Sequence, residues 1–119
     1  MDKDEYKIAV ASSDGIVVNN HFGRAKEFYI YQIDEAEQFH FLERRNLIPV
    51  CEAGNHDNER LRENLEELRD CKYLLVSKIG IGATNMAKSL GIESYEIPGI
   101  IEESIEQLIK YIKIKKLFE

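Results

Sequence analysis

The sequence lacks tryptophan altogether and holds only two cysteines and two prolines among its 119 residues. Two thiols, Cys51 and Cys71, are too few for the disulfide framework of a small secreted domain, so we expect both to be reduced. A structural zinc ion needs four ligands, and besides these thiols the chain offers only His21, His40 and His56. The composition therefore argues against both a disulfide scaffold and a closed zinc site.

Long apolar runs and an excess of positive charge are also missing. No segment approaches the ~20 apolar residues of a membrane-spanning helix, and the charged N-terminus lacks the apolar region of a secretory signal. The formal net charge of -6 opposes broad nucleic-acid affinity, which comes mainly from neutralised phosphates, although it permits a local basic pocket. We therefore predict a cytoplasmic protein that binds neither membranes nor nucleic acid.

The residues that are present have the composition of one ordinary globular domain. Hydrophobic residues make up 44% and charged residues 32%, in a chain long enough to bury roughly two thirds of its unfolded surface. Because no repeat, linker or low-complexity segment interrupts it, we predict a single domain over residues 1–119, with its core at about residues 6–113.

Hydrophobic periodicity divides the chain into two halves. The first holds extended apolar runs at residues 6–12, 27–33 and 38–48, which favour an antiparallel meander with Phe39, Phe41 and Glu43 on one face of its last strand. The second half alternates helical and extended patterns. Its predicted elements are a helix carrying Leu61, Leu65 and Leu68, a strand at 72–77, a helix after "KIGIG" that ends at Gly91, a strand at 92–97, a turn at Pro98-Gly99, and a helix whose apolar stripe runs from Ile101 to Ile112.

This order of elements predicts an α/β fold. Short connections in the β-α-β-α half favour parallel strands joined by right-handed crossovers, whereas the strands of the first half pair antiparallel. A mixed five-stranded sheet with helices on its faces joins the two halves. A three-layer arrangement like that of ribonuclease H is the natural candidate.

Polar residues and glycines follow the first and fourth strands of this predicted order. In open α/β sheets, ligands gather beyond the carboxyl ends of the parallel strands, which here are Ser12-Ser13 and the segment from Lys78 through Gly80 to Gly82. The next helix would point its unpaired N–H groups and positive dipole end at this space, which suits an anion. The alternative is that these glycines only shape a tight strand-to-helix turn.

The connecting segment "VNNHFGRA" carries more chemistry than a turn needs. His21 can ligate a metal or an iron-sulphur cluster, Arg24 offers fork-like donors to an anion, and Gly23 lets the backbone approach a bulky ligand. The alternative is an ordinary turn in which Phe22 enters the core, His21 bonds a carbonyl group and Arg24 pairs with an acid. The residues alone leave both interpretations open.

Of the remaining thiols and imidazoles, two form a candidate metal-binding pair and two have no predicted role in binding. Cys51 and His56 stand five positions apart in a polar loop, either as a shared metal site or as two unconnected residues. Cys71 stands at a helix end beside a buried strand, where we predict a structural role, and we predict His40 on the surface or at a sheet edge.

The sequence lacks the residues that two classes of enzyme require. A two-metal nuclease needs several carboxylates over the sheet, and the body of the first strand carries none. A Ser-His-Asp hydrolase needs a nucleophile elbow such as G-x-S-x-G, which is absent. We therefore predict neither a nuclease nor a hydrolase of these types.

Four stretches of the sequence resemble a known family. In order, "KIAVASSDG", "HFGRAKEFYIY", "LLVSKIGIGA" and "LGIESYEIPGIIEESIEQLIKY" look like the dinitrogenase iron-molybdenum cofactor biosynthesis family, the group that contains NifX and the C-terminal domain of NifB. The resemblance covers residues 7–111. It implies a ribonuclease H-like α/β domain that carries iron-sulphur or iron-molybdenum clusters and is not a catalyst.

The resemblance also implies which residues bind. His21 of "HFGRA" becomes the leading candidate ligand, and Gly80, Gly82 and Ala83 become part of the binding rim. Such clusters bring their own bridging sulphides and negative charge, so a protein need supply only few ligands and a local positive field. Cys51 and His56 lie where the family varies, so only their chemistry supports a ligand role.

Several cations can supply that field. Arg24 and Lys78 flank the predicted cleft, and the start of the following helix adds its dipole. Arg44 and Arg45 would contribute if the end of their strand turns that way.

We therefore expect one cleft, formed by "SSDG", "NNHFGRA" and "KIGIGA", to bind a cluster that other proteins donate and receive. Its candidate residues are Ser12, Ser13, His21, Phe22, Gly23, Arg24, Lys78, Gly80, Gly82 and Ala83, with His21, Cys51 and His56 as candidate metal ligands. The alternative function is that of a small regulatory or interaction domain that binds a phosphate-bearing metabolite or a protein partner through the same helix start.

Overall fold

The computed structural model describes residues 5–50 and 58–119, and within them it has seven strands, three α-helices and a short 3-10 helix. The strands are β1 (Tyr6–Ala11), β2 (Val17–Val18), β3 (Glu27–Ile33), β4 (Phe39–Asn46), β5 (Tyr73–Val76), β6 (Glu93–Glu96) and β7 (Gly99–Ile100). The α-helices are α1 (Asn58–Glu67), α2 (Ile81–Ser89) and α3 (Ile101–Leu117), and the 3-10 helix is Phe22–Arg24.

Five strands form the main sheet, in the order β4-β3-β1-β5-β6. β1 pairs antiparallel with β3, and β3 pairs antiparallel with β4, whereas β5 and β6 continue the sheet in parallel on the other side of β1. The predicted mixed five-stranded sheet of an α/β fold is confirmed. β1 therefore lies at the centre, where the two halves of the chain meet.

The main sheet is covered on both faces. Ala9 and Ala11 of β1 pack with buried residues of α1 and α2, whereas Ile8 and Val10 pack with buried residues of α3. All four side chains are fully buried, as expected for a central strand that reads as a continuous apolar run. Within the described residues, no helix is both long and apolar enough to cross a membrane.

Periodicity does not predict the second, two-stranded sheet. β2 pairs antiparallel with β7, which places Val17 opposite Ile100 and Val18 opposite Gly99. The predicted turn at Pro98-Gly99 is therefore wrong at Gly99, which enters β7 with a φ of 132°, a conformation that favours glycine. Strands of two residues are too short to show an alternating pattern, so the sequence could not reveal them.

A bulge in β4 changes which of its side chains share a face. The register with β3 shifts between Ile30 and Tyr31, so that Phe41 lies opposite Tyr31 but Glu43 lies opposite Ile30. Because neighbouring residues of β3 point to opposite faces, Phe41 and Glu43 do so too, and their predicted common face is wrong. The extra residue, Leu42, reverses the alternation.

Beyond the bulge, Arg45 turns toward the end of α1. Its guanidinium donates to both carboxylate oxygens of Asp70 at 2.8 Å and to the carbonyl oxygen of Glu67 at 2.8 Å. Lys7 Nζ lies 3.2 Å from the same carboxylate. The Arg45 guanidinium beside Asp70 holds the pKa of that carboxyl well below its usual range. Arg45 therefore serves a structural ion pair.

The depressed pKa of Asp70 makes the stability of the fold depend on pH. Because the folded pKa lies below the unfolded value of about 3.9, the carboxylate stabilises the fold above that value and loses this effect as the pH falls. The pair is partly exposed, so we expect Asp70→Asn to lower the free energy of unfolding at pH 7 by about 1 kcal/mol. Urea unfolding between pH 7 and 2 should show a shallower decline for the variant. Parallel pH curves for the two proteins would contradict this account.

Cys71 is a buried thiol, as the sequence predicts. It is 1% exposed and lies in the hydrophobic cluster that includes residues of α1 and α2. Burial raises the pKa of this thiol to about 12. Since the thiolate is the form that reacts and ligates metals, we expect Cys71 to be inert at neutral pH.

The inertness of Cys71 can be measured with the other thiol removed. In a Cys51→Ser variant we expect no reaction with Ellman's reagent at pH 8 in the folded state, because almost no Cys71 thiolate forms there. After unfolding in urea, one thiol per chain should react. Immediate reaction of the folded variant would show that Cys71 is accessible, against the burial described above.

Candidate functional site

The segment around His21 is held against the carboxyl end of β5. The amide of Ser77 donates to the carbonyl oxygen of Asn20 at 3.0 Å, and the amide of Phe22 donates to that of Lys78 at 2.9 Å. His21 and Lys78 thereby form an isolated parallel bridge. Two motifs far apart in the sequence therefore meet at one end of the main sheet.

Phe22 anchors this segment in the core. Its side chain is 2% exposed, and its ring centroid lies 5.8 Å from that of Phe28 in β3. The 3-10 helix that Phe22 begins ends at Arg24, and Ala25 after it is again buried. Phe22 thus points inward while its neighbour His21 stays exposed at the surface.

The start of α2 faces the same region. Gly80 precedes the helix as its N-cap and provides no side-chain bond, and the first amide bonded within the helix is that of Thr84, to the carbonyl oxygen of Gly80 at 3.0 Å. The preceding N–H groups of an α-helix have no partner in the helix. They present donors and the positive end of the helix dipole to the adjoining space.

These segments enclose a cavity of about 430 Å³. It brings together eight of the predicted binding residues with four further residues of the fold. The predicted ones are His21, Phe22, Gly23, Arg24, Lys78, Gly80, Gly82 and Ala83, and the others are Val50, Asn58, Leu61 and Ile79. The last four carry no signal of a site in the sequence, because an apolar or amide side chain at these positions equally suits a core or a helix start.

Three polar side chains of the cavity have no partner among the described residues. Neither His21 nor Arg24 nor Lys78 makes a side-chain hydrogen bond or ion pair with any residue of 5–50 or 58–119. Of the ordinary turn considered above, only the buried Phe22 is present among residues 5–50 and 58–119. As far as these residues are concerned, the imidazole and both cations are available to a ligand.

Gly80 and Gly82 are not required by the backbone. The φ of Gly80 is -72°, which any residue adopts, and Gly82 lies within the helix. A Cβ atom built on either glycine meets no other atom within 4 Å. The interpretation that they shape a tight turn is therefore wrong. Their effect is to leave open space beside the unpaired amides of α2.

The substitution Gly82→Ala separates the effect of this glycine on helix stability from its effect on ligand access. In a helix interior alanine is more stable than glycine by about 0.5–1 kcal/mol. Gly82 is the second residue of α2 and nothing near it opposes an added methyl group, so we expect a smaller gain and a slight rise in melting temperature. The same methyl group should weaken any ligand that approaches the helix start. Thermal melts and binding titrations on one preparation test both effects. A stabilised variant with unchanged affinity would place the ligand elsewhere.

Ser12 and Ser13 are not part of this cavity. Ser12 is fully buried, and its Oγ accepts the amide of Gly15 at 2.9 Å and donates to Asp14 Oδ1 at 3.2 Å. Asp14 in turn accepts the amides of Ile16 and Val17, and these bonds, that of Ile16 foremost, lower the pKa of its carboxyl. The residues after β1 therefore satisfy one another in a closed turn.

Ser13 lies instead at a smaller neighbouring cavity. This second space, of about 270 Å³, is lined by Ser13, Asn20, Arg24, Lys26 and Glu27. Arg24 lines both cavities.

Two predicted ligands, Cys51 and His56, lie outside the described residues. The described residues that precede and follow the segment 51–57, Val50 and Asn58, both line the larger cavity. Arg44 and Arg45 do not line it, and Arg45 is held by Asp70 instead.

Comparison with known proteins finds relatives that are named NifB and NifX. The FeMo cofactor biosynthesis protein NifB of Frankia alni is 33% identical over 104 residues, which cover 85% of this chain and 20% of that protein. The NifB protein of Chlorobaculum tepidum is 31% identical over 118 residues, covering 98% and 27%. Protein NifX of Azotobacter vinelandii is 28% identical over 108 residues, covering 86% and 64%. The chain thus spans about a fifth to a quarter of the length of these NifB relatives.

Two solved structures share the fold. The crystal structure of PH0822 superposes with a TM-score of 0.66 at 24% identity, over 87% of this chain and 89% of that one. The NMR structure of a putative NifB protein from Thermotoga gives a TM-score of 0.54 at 22% identity, over 88% of each chain. At these identities the likeness concerns the fold alone.

One family profile, described as dinitrogenase iron-molybdenum cofactor, matches residues 4–111. The matched range contains all five strands of the main sheet and every residue that lines the larger cavity. It also contains the "HFGRA" and "IGIGA" motifs that meet there. The chain therefore belongs to the dinitrogenase iron-molybdenum cofactor family.

Proposed function

We propose that this protein binds and carries an iron-sulphur or iron-molybdenum type cluster, or a precursor of one, and does not itself catalyse a reaction. The cluster is cargo, received from one protein and passed to another during cofactor biosynthesis or trafficking. Family membership supports this proposal, as do relatives named FeMo cofactor biosynthesis proteins.

One observation carries the proposal: a histidine, two cations and a helix start converge on one cavity. Imidazole ligates iron, and in Rieske centres histidine replaces cysteine on one iron of the cluster. Arg24, Lys78 and the dipole of α2 supply a local positive field for an anionic cluster in a chain of net charge -6. The volume, about 430 Å³, falls within the ~300–1,000 Å³ of typical ligand pockets.

We propose a preassembled cluster as cargo because the available ligands are few. The described part of the chain contains no group of three or more His, Cys, Asp or Glu side chains that could hold a metal ion. A cluster brings its own bridging sulphides, so few protein ligands can hold it. We propose His21 as the first ligand, and Cys51 and His56 remain proposed as further ligands.

The finer fold assignment is also a proposal. Counted along the chain without β2, the five strands of the main sheet have the order 3-2-1-4-5, and only the second of them, β3, runs antiparallel to the other four. This order supports a ribonuclease H-like domain.

Anaerobic reconstitution of the wild-type protein tests the proposed function. The purified chain is titrated with iron and sulphide, with and without tetrathiomolybdate, and the bound cluster is followed by visible absorption after desalting. We expect about one cluster per chain. Absence of retained absorption under all these conditions would reject the carrier function.

The unpaired amides at the start of α2 also favour a second candidate, a phosphate-bearing metabolite. A ligand that binds only the folded state raises its melting temperature, so thermal shifts with nucleotides and sugar phosphates discriminate between the two functions. A large shift with one of these metabolites, in a protein that retains no cluster, would replace the first proposal by the second.

A further inference from the structure

Backbone hydrogen bonds hold the walls of the smaller cavity in place. The amide of Ser12 donates to the carbonyl oxygen of Glu27 at 3.3 Å, which keeps the end of β1 beside the start of β3. The carbonyl oxygen of Asn20 accepts the amide of Ser77 at 3.0 Å, which connects the other wall to the end of β5. The volume of about 270 Å³ lies below the ~300–1,000 Å³ of pockets for drug-sized ligands. The cavity therefore suits a small ligand.

Three side chains without a partner supply hydrogen-bond donors to this cavity. Arg24, Lys26 and Asn20 line it, and none of them makes a side-chain hydrogen bond or ion pair with residues 5–50 or 58–119. A guanidinium can donate two parallel N–H groups to the oxygens of a phosphate or a carboxylate, and an ammonium group adds a compact positive charge. The two cations therefore favour a small oxyanion, although the whole chain has a net charge of -6.

A fourth donor is the hydroxyl group of Ser13, which Asn19 orients. Asn19 Oδ1 accepts the amide of Ser13 at 3.1 Å, and Asn19 Nδ2 donates to Ser13 Oγ at 3.0 Å. Because Oγ is the acceptor in this bond, the hydroxyl proton remains free to donate, and within the described residues it has no acceptor. The reciprocal pair of bonds thus holds Ser13 Oγ in position at the cavity.

One acid lines the same cavity and restricts which oxyanion fits. Glu27 Oε1 accepts the hydroxyl of Tyr29 at 3.4 Å, whereas Glu27 Oε2 has no hydrogen-bond partner in the described part of the chain. An ionised carboxylate only accepts hydrogen bonds. It repels an anion that carries no proton, such as sulphate, but it can accept a bond from an anion that keeps one. Monohydrogen phosphate keeps one proton at neutral pH and is such an anion.

We propose that the smaller cavity binds inorganic monohydrogen phosphate. Arg24 and Lys26 bind its negative oxygens, Ser13 and Asn20 donate to them, and Glu27 accepts the remaining phosphate proton. Two cations against one acid keep the cavity favourable to an anion, while the acid selects for the proton. The inference goes beyond cluster binding and does not depend on it, since of these five residues only Arg24 also lines the larger cavity.

Calorimetric titrations of the full chain at pH 8 with phosphate and with sulphate test this site. Monohydrogen phosphate still carries its proton at this pH, and sulphate carries none. We expect one phosphate per chain, bound at least tenfold more tightly than sulphate. No binding of phosphate at millimolar concentration, or equal affinity for the two anions, would overturn the proposal.

Two lysine variants assign the phosphate to one of the two cavities. Lys26 lines only the smaller cavity and Lys78 only the larger, and both side chains are exposed, so neither change to glutamine should disturb the fold. We expect Lys26→Gln to weaken phosphate binding at least tenfold and Lys78→Gln to change it less than twofold. The reverse result would place the phosphate at the start of α2 and contradict the proposal.

The role of Glu27 is tested by Glu27→Gln, whose amide can donate as well as accept. We expect the preference for phosphate over sulphate to fall from at least tenfold to below about threefold. A preference that persists in this variant would show that Glu27 does not select the ligand, and would overturn the proposal.

Methyl phosphate distinguishes free phosphate from the phosphate group of a metabolite, and it needs no variant. Phosphate monoesters have a second pKa of about 6, so methyl phosphate carries no proton at pH 8. Wild-type protein should therefore bind it at least tenfold more weakly than inorganic phosphate. Equal or tighter binding of methyl phosphate would assign the cavity to a phosphate-bearing metabolite and contradict the bond to Glu27.

Discussion

Replacing His21 with alanine is expected to lower the affinity for an iron-sulphur cluster at least tenfold and to leave folding unchanged. The imidazole is exposed and makes no side-chain bond within the described residues, so its loss should change stability by less than about 0.5 kcal/mol. Its proposed bond to iron, by contrast, would disappear. Anaerobic titration followed by visible absorption measures the affinity, and circular dichroism melts measure the stability.

His40→Ala is the matched control for this experiment. His40 is also exposed, but it lies on the edge strand β4, where its Nε2 is 2.8 Å from Asp34 Oδ2. Its removal should not alter cluster binding. If His21→Ala binds as tightly as wild type, the ligand role is rejected. Arg24→Gln and Lys78→Gln would then show whether an electrostatic pocket alone holds the cluster.

Phe22→Ala is expected to have the largest effect on stability of the changes considered, about 3–5 kcal/mol. The side chain is 2% exposed, packs on Phe28 with 5.8 Å between ring centroids, and fills the core beneath the cavity. Alanine would leave a void there and release the anchor of the His21 segment. Urea unfolding measures the free energy, and cluster binding should fall in parallel because His21 and Arg24 lose their position.

Phe41→Ala provides the comparison for Phe22→Ala. Phe41 is 54% exposed on β4, so truncation should cost less than about 1 kcal/mol and should leave cluster binding intact. An equal cost for both variants would mean that Phe22 has no special role. A large loss of stability in Phe22→Ala with undiminished cluster binding would show that the His21 segment does not need this anchor.

Periodicity sufficed to predict the main sheet and its helices. The apolar runs that became β1, β3 and β5, and the leucine spacing of α1, each reflect burial against one or two faces. Gly91 ends α2 as predicted, with a φ of 86° that suits glycine. The hydrophobic pattern could not predict the pairing of β2 with β7, because these strands are too short to show an alternation. Nor could it predict that one added residue, at the bulge of β4, reverses which side chains face each side of the sheet.

Part of the candidate site followed from topology and part did not. Parallel β1 and β5 end at the same side of the sheet, which correctly brought Lys78 and the start of α2 to the segment of His21. The same reasoning included Ser12 and Ser13. Neither serine lines the larger cavity. The hydroxyl of Ser12 is used by the turn that follows β1, and sequence patterns do not show how the polar groups of a turn bond to one another.

The glycines of the second motif illustrate a different limit. Their presence at a strand-to-helix junction suggests conformational need, yet Gly80 has an ordinary φ and neither glycine has a neighbour that a Cβ would meet. Only the structure distinguishes a glycine that the backbone needs from one that leaves room. At Gly80 and Gly82 the room lies beside helix amides and the cavity of His21.

The position of the cluster tests the central claim most directly. An iron cluster is paramagnetic or can be reduced to a paramagnetic state, so it broadens the NMR signals of nearby amides. In ¹⁵N-labelled protein reconstituted anaerobically, the amides of His21, Gly82 and Ala83 should broaden beyond detection, while those of Ser94 and Tyr111 stay sharp. Sharp signals at the His21 cavity, with broadening elsewhere in a protein that retains the cluster, would contradict the account.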